Sequence, residues 1–345
     1  MGCITKSMID KCNRDINYLR ISVTDRCNLR CFYCTPREGR SLLGHDDILR
    51  YEEILRVIRV AVKMGVVKVR VTGGEPLVRR GIVDFIVSLK SIKGIDDISM
   101  TTNGTLLESF AERLFNAGMK RINISLDSLN TGKYARITRG GDLEAVLRSI
   151  DKVYRAGFSP IKINIVVLMG FNDDEILDFA KLTLHKPYQV RFIELMPVGQ
   201  AGLENNDRYL SNDIVKERIS MFYRLEHVNG NQEPVIGDEG LPLSGPAQIF
   251  RIASGVGQIG FISPVSHRFC YACNRLRLTA DGHLRACLLS DEEIDLKSPL
   301  RNGCSDAELE GLIKRAIAGK QKQYSTTCSE NHIKKCARGM SSLGG

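Results

Sequence analysis

The 345-residue chain is 43% hydrophobic and 26% charged, which is typical of a globular protein with room for one large domain and an appendage. No apolar run reaches the roughly 18 residues that a membrane span needs, and residues 1–18 lack the apolar core of a secretory signal. We therefore expect a cytoplasmic protein without a membrane partner. Eleven cysteines in such a chain indicate metal ligation rather than a disulfide scaffold.

The net charge of +9 favours an anionic partner. Nucleic acid is the default interpretation of such a charge. However, the basic residues are dispersed along the chain, Trp is absent, and aromatic residues do not alternate with basic ones. A small molecule that carries several phosphates fits the charge equally well.

Short β-rich runs alternate with amphipathic helical segments between Tyr18 and Val198. The predicted strands are Tyr18–Asp25, Val67–Thr72, Ile98–Thr102, Arg121–Asp127, Ile161–Met169 and Gln189–Met196. Between two of them, Leu143, Val146 and Ile150 recur at the spacing of one helix face. Six such units predict parallel strands covered by helices, either as a doubly wound sheet or as the arc of a (β/α) barrel.

Polar residues at the ends of these strands favour the barrel. Cys27, Glu75, Asn103 and Asp127 all stand at or just beyond the C-terminal end of their own strand. A barrel builds its active site at that rim from several strands, whereas a doubly wound sheet concentrates it at one switch point. We predict an α/β fold in which residues 1–200 form a partial (β/α)6 TIM-like barrel. Residues 201–345 are predicted to form a C-terminal extension that closes the open side.

The alternation stops after residue 200. The C-terminal region is predicted to contain an irregular loop over Val228–Pro246, three short strands, a turn, a helix and a polar, basic tail. The strands are Gln248–Ala253, Gln258–Ser263 and Arg275–Thr279, the turn is at Asp281-Gly282, the helix is Asp306–Ala318, and the tail begins at Lys320.

Cys27, Cys31 and Cys34 follow the first predicted strand in a C-x-x-x-C-x-x-C spacing. Three thiolates this close together suit one face of an iron–sulfur cubane and leave its fourth iron without a cysteine from this loop. A structural zinc site is the alternative, but zinc loops usually pair two C-x-x-C units to close four ligands. We favour the cluster, whose open iron is available for chemistry.

The segment Thr72–Pro76 reads Thr-Gly-Gly-Glu-Pro and closes the second predicted strand. Two glycines let a ligand approach the backbone, and Glu75 adds a carboxylate beside them. Together with the cysteine loop, this segment resembles the radical S-adenosylmethionine superfamily. The resemblance implies that the methionine moiety chelates the open iron and that the Gly-Gly-Glu-Pro segment holds its amino group. It also implies that Tyr33 lies near the adenine.

A second group of three thiols is formed by Cys270, Cys273 and Cys287. From the spacing alone, a second cluster with an open iron and a structural zinc completed by His267 or His283 are equally good interpretations. Arg275 and Arg277 share one face of the strand that follows, so both guanidinium groups point toward whatever this group holds.

With both cysteine groups in view, the chain closely resembles the GTP 3′,8-cyclases of molybdenum cofactor biosynthesis from about Tyr18 onward. Further matching stretches are Leu19–Asp25, Thr101–Gly104, Asn123–Asp127, Ile161–Asn164, Arg191–Glu194 and the terminal Gly344-Gly345. The resemblance implies two [4Fe–4S] clusters, one that cleaves S-adenosylmethionine reductively and one whose spare iron binds the guanine of GTP. The implied product is (8S)-3′,8-cyclo-7,8-dihydroguanosine 5′-triphosphate, made in the first step of the pathway.

The resemblance also implies roles for individual positions. The cluster ligands would be Cys27, Cys31 and Cys34 for the first cluster and Cys270, Cys273 and Cys287 for the second. The S-adenosylmethionine contacts would be Tyr33, Gly74, Glu75, Ser125, Asn164 and Met196. The GTP contacts would be Arg20, Lys68, Arg70, Thr101, Lys162, Arg191, Arg275, Leu276 and Arg277. The catalytic set would be Arg275 and Arg277 with Gly344 and Gly345 of the tail, which reaches back into the active site.

Simpler interpretations stay open at several of these positions. Any single Lys or Arg is more often solvated surface charge, and Met196 suits a hydrophobic core. The remaining cysteines are expected to be ordinary thiols; they are Cys3, Cys12, Cys304, Cys328 and Cys336. We also expect the tail either to complete the pocket or to place Arg338 near it.

The implied partners are GTP, an external electron donor and the downstream cyclic pyranopterin monophosphate synthase. A homodimer is the expected assembly, and nucleic acid is not expected. Two alternative functions remain. One is a peptide-modifying radical enzyme, which usually carries more C-terminal cysteines than this chain does. The other is a basic, zinc-containing nucleic-acid-binding protein, whose affinity would fall steeply with salt.

Overall fold

The computed structural model of the protein describes residues 7–39, 41–228, 246–322 and 338–344. Most of the predicted loop Val228–Pro246 lies outside the described residues, as do Cys3, Cys328, Cys336 and Gly345. No helix in the described ranges is both long enough and apolar enough to cross a membrane.

Six parallel strands form the centre of the fold. They are β1 (Tyr18–Ser22), β2 (Lys68–Thr72), β3 (Asp97–Thr102), β4 (Arg121–Ser125), β5 (Ile161–Val167) and β6 (Gln189–Glu194). Each strand pairs in parallel with the next one along the chain. A doubly wound sheet would reverse its strand order at a switch point, so this order confirms the predicted partial (β/α)6 barrel. The predicted strands β1, β4, β5 and β6 run too far, because the polar residues that follow leave the ladder for rim loops.

Helices cover the outer face of these strands. They are α1 (Tyr51–Met64), α2 (Ile82–Lys90), α3 (Leu107–Asn116), α4 (Thr131–Thr138), α5 (Leu143–Arg155) and α6 (Ile176–His185). The periodicity predicted for α5 is confirmed, because Leu143, Val146 and Ile150 are all buried. Gly65 ends α1 with a φ of 125°, a backbone conformation that side chains with a Cβ rarely adopt.

Side chains alternate between the two faces of each strand. On β2, Val69 and Val71 are fully buried in the hydrophobic core between the sheet and the helices. Lys68 and Arg70 occupy the intervening positions and therefore face the other way. We call that second side of the sheet, toward which Lys68 and Arg70 point, the inner face.

The C-terminal region lengthens the sheet. Its elements are α7 (Gly199–Glu204), α8 (Asn212–Ser220), β7 (Leu225–His227), β8 (Gln248–Ile252), β9 (Gln258–Ile262), β10 (Arg275–Leu278), β11 (His283–Arg285), β12 (Ile294–Asp295), α9 (Lys297–Arg301), α10 (Asp306–Ala318) and α11 (Met340–Leu343). β9 pairs in parallel with β6, and β10 pairs in parallel with β1. The extension therefore adds strands to both edges of the open barrel, and the described strands form one twelve-stranded sheet.

Several predictions for this region are confirmed at the level of single elements. β10 and β11 form an antiparallel pair joined through Asp281 and Gly282, and Gly282 has a φ of 84°. The helix predicted over Asp306–Ala318 has those bounds as α10. The division of the chain at residue 200 stays a prediction, because the ladder runs unbroken from one region into the other.

Leu276 lies between two arginines on β10 but faces the opposite side of the sheet. It is 1% exposed and belongs to the hydrophobic core, in register with Leu19 of β1. The GTP contact predicted for Leu276 therefore gains no support from the position of its side chain. Strand alternation puts the neighbours Arg275 and Arg277 on the inner face instead.

Truncating Leu276 tests this orientation. Leu276→Ala should lower the free energy of unfolding by about 2–5 kcal/mol, because it removes buried methyl groups and leaves a cavity. Leu276→Met conserves volume and should cost less than about 1.5 kcal/mol. Urea unfolding followed by circular dichroism measures both variants. An alanine variant as stable as the wild type would show that Leu276 is not a core residue.

Candidate functional site

The first cysteine loop follows β1 at the C-terminal rim of the barrel. The amide of Arg30 donates a hydrogen bond to the carbonyl oxygen of Thr138 at 3.1 Å, and the amide of Phe32 donates to that of Ile137 at 3.0 Å. The C-terminal end of α4 therefore supports the loop between its cysteines. This backbone pairing holds the three thiols of Cys27–Cys34 on one short, curved segment.

The three thiols lie close enough to influence one another electrostatically. Burial raises the pKa of Cys27 to about 11. Burial also raises the pKa of Cys31, and Asp127, Cys34 and Cys27 add to that effect. Thiols that oppose one another's ionisation are stabilised as thiolates by a bound metal centre, which deprotonates its thiol ligands. The donor set therefore fits the cationic iron centre predicted from the spacing.

The Gly-Gly-Glu-Pro segment packs directly against the residues that lead into Cys27. The amide of Gly74 donates to Thr24 O at 2.7 Å, and the amide of Glu75 donates to Arg26 O at 2.8 Å. A Cβ on Gly74 would lie 2.2 Å from Arg26 O, so only glycine permits this approach. The glycine predicted to admit a ligand thus brings two stretches of the chain together at the cysteine loop.

The carboxylate of Glu75 is fully buried behind that loop. It accepts hydrogen bonds from the amide of Leu77 at 3.0 Å, the hydroxyl of Thr102 at 2.8 Å and the amide of Asn103 at 2.6 Å. Burial raises the pKa of Glu75 to about 7. The side-chain amide of Asn103 lies 3.7 Å from Cys27 Sγ, so Glu75 orients a group that touches the thiol. Direct contact between Glu75 and S-adenosylmethionine stays a prediction.

Other predicted S-adenosylmethionine contacts lie along the same rim. The Tyr33 hydroxyl donates to Asp127 Oδ2 at 2.6 Å, and burial together with the charge of Asp127 raises the pKa of Tyr33. Ser125 and Asn164 are register partners on β4 and β5. The Asn164 Oδ1 atom is buried without a hydrogen-bond partner. Because buried polar atoms are normally paired, this atom indicates a position for a ligand.

Cationic side chains form a row across the inner face. Arg277, Arg20 and Arg70 are register partners on the adjacent strands β10, β1 and β2. Burial, followed by the charge of neighbouring Arg275, lowers the pKa of Arg277 to about 10. Lys68 stands two residues before Arg70, in register with Tyr18.

The row of cations continues on the far strands of the barrel. Lys162 of β5 is 6% exposed, and burial followed by the charges of Arg191, Arg121 and Arg70 lowers its pKa to about 6. Burial and the charge of Arg70 lower the pKa of Arg191 to about 9. Such shifts mean that the charged forms lack compensation, which a bound polyanion would supply.

Unpaired polar atoms accompany these cations. Thr101 of β3 and Asn123 of β4 are register partners, and Asn123 is the register partner of Lys162. The Thr101 hydroxyl and the Asn123 Oδ1 atom are buried without hydrogen-bond partners. The predicted GTP contacts at Thr101 and Lys162 therefore lie beside polar atoms that a ligand could satisfy.

The second cysteine group lies at the other end of the inner face. Cys273 stands just before β10, which runs parallel to β1, so it lies near the start of β1, whereas Cys27 follows the end of β1. The amide of Tyr18 donates a hydrogen bond to Asn274 O at 3.3 Å, which joins the start of β1 to the segment that precedes β10. The two cysteine groups therefore bracket the row of cations from opposite ends of the barrel.

The electrostatics of the second group differ from those of the first. Burial opposes ionisation of Cys273, but Arg275 and Lys320 outweigh it and lower its pKa to about 6. Burial raises the pKa of Cys287. One thiol of this group is therefore prepared as a thiolate by neighbouring cations, which suits a metal ligand.

Lys320 is the residue of this site that the sequence did not reveal. Its Nζ atom lies 3.6 Å from Cys273 Sγ, although the two residues are 47 positions apart. The pattern around Lys320 is that of a polar, basic tail, and no spacing relates it to a cysteine. Strand order and the packing of α10 bring it to the thiol.

The two histidines considered as completing a zinc site face aspartates instead. His267 Nε2 lies 2.9 Å from Asp213 Oδ1, and His283 Nδ1 lies 3.2 Å from Asp281 Oδ2. Within the described ranges, no three His, Cys, Asp or Glu side chains surround a position for a single metal ion. Both histidines are therefore engaged by aspartates rather than by the second cysteine group.

The end of the chain returns to the inner face. The Arg277 guanidinium donates to Gly344 O at 3.0 Å. A Cβ on Gly344 would lie 2.3 Å from the Thr72 hydroxyl and 3.3 Å from Ser22 Cβ. Gly344 therefore rests on the C-terminal ends of β1 and β2, while Gly345 lies outside the described residues; the catalytic role of the tail stays a prediction.

Two sets of contacts hold the tail in this position. The Arg338 guanidinium forms ion pairs of 2.7 Å with Asp281 and of 2.7 Å with Glu293. Leu343 is buried in a small apolar cluster that includes Met196. Met196 packs against the cluster of Val198 and Leu343, which suits a core residue, and its contact with S-adenosylmethionine stays a prediction.

Comparison with known proteins identifies the family. Residues 21–183 match the Radical SAM superfamily, and residues 188–326 match Molybdenum Cofactor Synthesis C. The GTP 3′,8-cyclase of Thermodesulfovibrio yellowstonii is 49% identical over 339 residues, which cover 98% of this chain and 100% of that protein. The GTP 3′,8-cyclase of Moorella thermoacetica is 47% identical over 341 residues, with the same coverage. The chain belongs to the GTP 3′,8-cyclase family.

A solved structure supports the fold of this family member. Streptococcus suis SuiB bound to S-adenosylmethionine matches with a TM-score of 0.55 and 16% identity, over 88% of this chain and 69% of SuiB. Membership of the GTP 3′,8-cyclase family confirms the predicted enzyme class and its cofactor types, iron–sulfur clusters and S-adenosylmethionine. The residues assigned to each cofactor and to GTP stay predictions. They are supported by the surroundings of the cysteines, the row of cations and the unpaired buried polar atoms.

The contact between Gly344 and Thr72 leads to a test of the tail. Gly344 has a φ of 69°, and Gly344→Ala would press a methyl group against the Thr72 hydroxyl. We expect the tail to leave the inner face, so that hydrogen exchange of the amides in residues 339–344 becomes faster. The matched control is Gly311→Ala on α10, where an added Cβ meets nothing within 4 Å. Unchanged exchange in Gly344→Ala would contradict the described contact.

Proposed function

We propose that this protein converts GTP into (8S)-3′,8-cyclo-7,8-dihydroguanosine 5′-triphosphate, the first step of molybdenum cofactor biosynthesis. Relatives with that name are 44–49% identical to the chain. The observation within this chain that carries the proposal is the row of buried and half-buried cations between two groups of three cysteines. A substrate with three phosphates and a purine fits a face that is cationic along its length and bounded by a metal-ligand group at each end.

The two cysteine groups would hold the cofactors. Cys27, Cys31 and Cys34 are the proposed ligands of the first cluster, and Cys270, Cys273 and Cys287 those of the second. When bound, the first cluster and S-adenosylmethionine supply a carbon-centred radical that abstracts hydrogen, and the second cluster supplies an open iron for the purine. The residues Glu75 and Asn103 orient Cys27, and the Gly74 contact with Arg26 fixes the path of the loop.

The inner face would bind and orient the substrate. Arg20, Arg70 and Arg191 are proposed to bind the triphosphate, with Lys68, Thr101 and Lys162 beside them. Arg275 and Arg277 lie closest to the second cysteine group and are proposed to contact the nucleoside there. Holding the ribose and the base in one orientation brings the two carbons to be joined within reach, which is the main contribution that a protein makes to such chemistry.

The tail would complete this pocket. Gly344 receives a hydrogen bond from Arg277, so the tail and a proposed substrate contact are coupled. Gly344 and Gly345 are accordingly proposed as part of the catalytic set, by excluding water and setting the position of Arg277. The homodimer, the external electron donor, the downstream cyclic pyranopterin monophosphate synthase and a cytoplasmic location also belong to the proposal.

A direct assay tests the reaction. Protein purified without oxygen should contain about eight irons per chain, as two cubanes require. Incubation with GTP, S-adenosylmethionine and a reductant should yield 5′-deoxyadenosine and an isomer of GTP, both detected by mass spectrometry. Cys31→Ser should abolish both products, and Cys287→Ser should abolish the isomer. The control is Cys304→Ser, outside both groups. Zinc without iron in the wild type would refute the proposal.

The depressed pKa of Lys162 predicts a pH dependence of GTP binding. In the free protein this pKa is about 6, so the amine is mostly neutral above that pH. A neighbouring phosphate favours the ammonium and raises the pKa. GTP binding should therefore take up about one proton and weaken by up to roughly tenfold per pH unit as the pH rises above 7.5, where the phosphates themselves no longer titrate.

Calorimetry in buffers of different ionisation enthalpy measures that proton uptake. Lys162→Arg should remove it, because a guanidinium stays charged across this range. Lys152→Arg is the matched control, since Lys152 lies on α5, paired with Glu112. Proton uptake that persists unchanged in Lys162→Arg would contradict a contact between Lys162 and the phosphates.

A further inference from the structure

Lys320 reaches the second cysteine group from a position beyond the end of α10. It is 2% exposed. Its Nζ atom donates to Ala286 O at 2.6 Å and Arg275 O at 3.0 Å, and lies 3.6 Å from Cys273 Sγ. These three acceptors match the three N–H donors of an ammonium, whereas a neutral amine has only two. The geometry therefore favours a buried positive charge against a proposed ligand sulfur.

The N-terminal segment holds Lys320 in this place. The Arg14 guanidinium is buried and donates to Gln321 O at 2.9 Å and to Cys270 O at 2.7 Å. Asp10 in turn accepts from Arg14 Nε at 2.6 Å. The buried ion pair between Asp10 and Arg14 thus fixes two backbone positions, one at Gln321 beside Lys320 and the other at Cys270.

Lys320 has no donor left for a substrate. Its three N–H groups all meet acceptors within residues 273–286, on the cysteine, on β10 and just beyond β11. Arg275 also contacts the thiol of Cys273, but it lies on the inner face among the proposed substrate contacts. Lys320 is therefore a cation that contacts a sulfur of this cysteine group without reaching the inner face.

We propose that Lys320 is a positioning residue that raises the reduction potential of the cluster held by Cys270, Cys273 and Cys287. The inference rests on the proposed function, because it takes this group to hold an iron–sulfur cluster. Reduction adds negative charge to a cluster, and a nearby cation or an N–H directed at a ligand sulfur stabilises that added charge. Removing the ammonium should lower the potential.

If Lys320 had only a structural role, its replacement would change stability and cluster occupancy but not the reduction potential. The lysine bridges the carbonyls of Arg275 and Ala286, so its loss would also loosen the pairing of β10 with β11. Such loosening lowers stability and cluster occupancy in proportion. It does not shift the potential of those clusters that remain bound, and the potential therefore separates the two roles.

The test compares Lys320→Met with Lys320→Arg. Both are made in a chain in which Cys27, Cys31 and Cys34 are replaced by Ser, so that only the second cluster is observed. Redox titration followed by electron paramagnetic resonance measures the midpoint potential, and iron analysis measures occupancy. Lys314→Met is the matched control, because it removes the same charge from an exposed position of α10.

We expect Lys320→Met to disfavour reduction about tenfold, which lowers the potential by about 59 mV for a one-electron couple. The midpoint potentials of Lys320→Arg and of Lys314→Met should both stay close to that of the parent. An unchanged potential in Lys320→Met at full occupancy overturns the inference while the wild type still cyclises GTP. Absence of iron from the second cysteine group of the parent overturns the proposed function instead.

If Lys320→Met loses the cluster, the potential is measured in Lys320→Gln, which keeps N–H donors but removes the charge. A potential lowered as expected in that variant supports the inference, and an unchanged potential overturns it. Loss of the cluster from all three variants would also overturn it, because the lysine would then act on occupancy rather than on potential.

Discussion

The structure depends on the crowding of cationic side chains on the inner face of one sheet. Arg277, Arg20 and Arg70 stand side by side on three adjacent strands, so their guanidinium groups share the inner face. Arg191 extends that charge to the far strands, as does Lys162 when it is protonated, and burial lowers the pKa of both. Like charges in a poorly solvated space raise the free energy of the folded protein. A bound polyanion compensates the repulsion among these cations. The free energy that the repulsion costs the folded protein is then regained on binding.

Three carboxylates near the site bind backbone amides, hydroxyls or the tail rather than the row of arginines, so they do not neutralise its charge. Glu75 accepts three hydrogen bonds behind the first cysteine loop. Glu194 accepts from the amides of Asn212 at 3.0 Å and Val265 at 2.9 Å, and so joins the end of β6 to the C-terminal region. Asp281 pairs with Arg338 of the tail. Each acid stabilises a connection between segments, and none of these three pairs with the row of arginines.

The way the sheet is extended separates the two cysteine groups. β10 joins the edge of the barrel parallel to β1, so a cysteine that precedes β10 and a cysteine that follows β1 lie at opposite ends of adjacent strands. The cations on the inner face of these strands therefore lie between the groups. Two metal centres and an anionic substrate can share one barrel in this arrangement without competing for the same ligands.

The sequence by itself determined the six parallel strands, both groups of cysteines and the cationic positions of β1, β2 and β10. These features depend on local periodicity and spacing, which do not change with tertiary packing. Alternation along β10 also implies that Leu276 faces away from Arg275 and Arg277, although the family resemblance grouped all three. Only the tertiary structure decided that Lys320 meets Cys273, that Arg14 joins the carbonyls of Cys270 and Gln321, and that Gly344 rests against Thr72. Such contacts join residues far apart in the chain, and strand order and helix packing bring them together where no sequence pattern connects them.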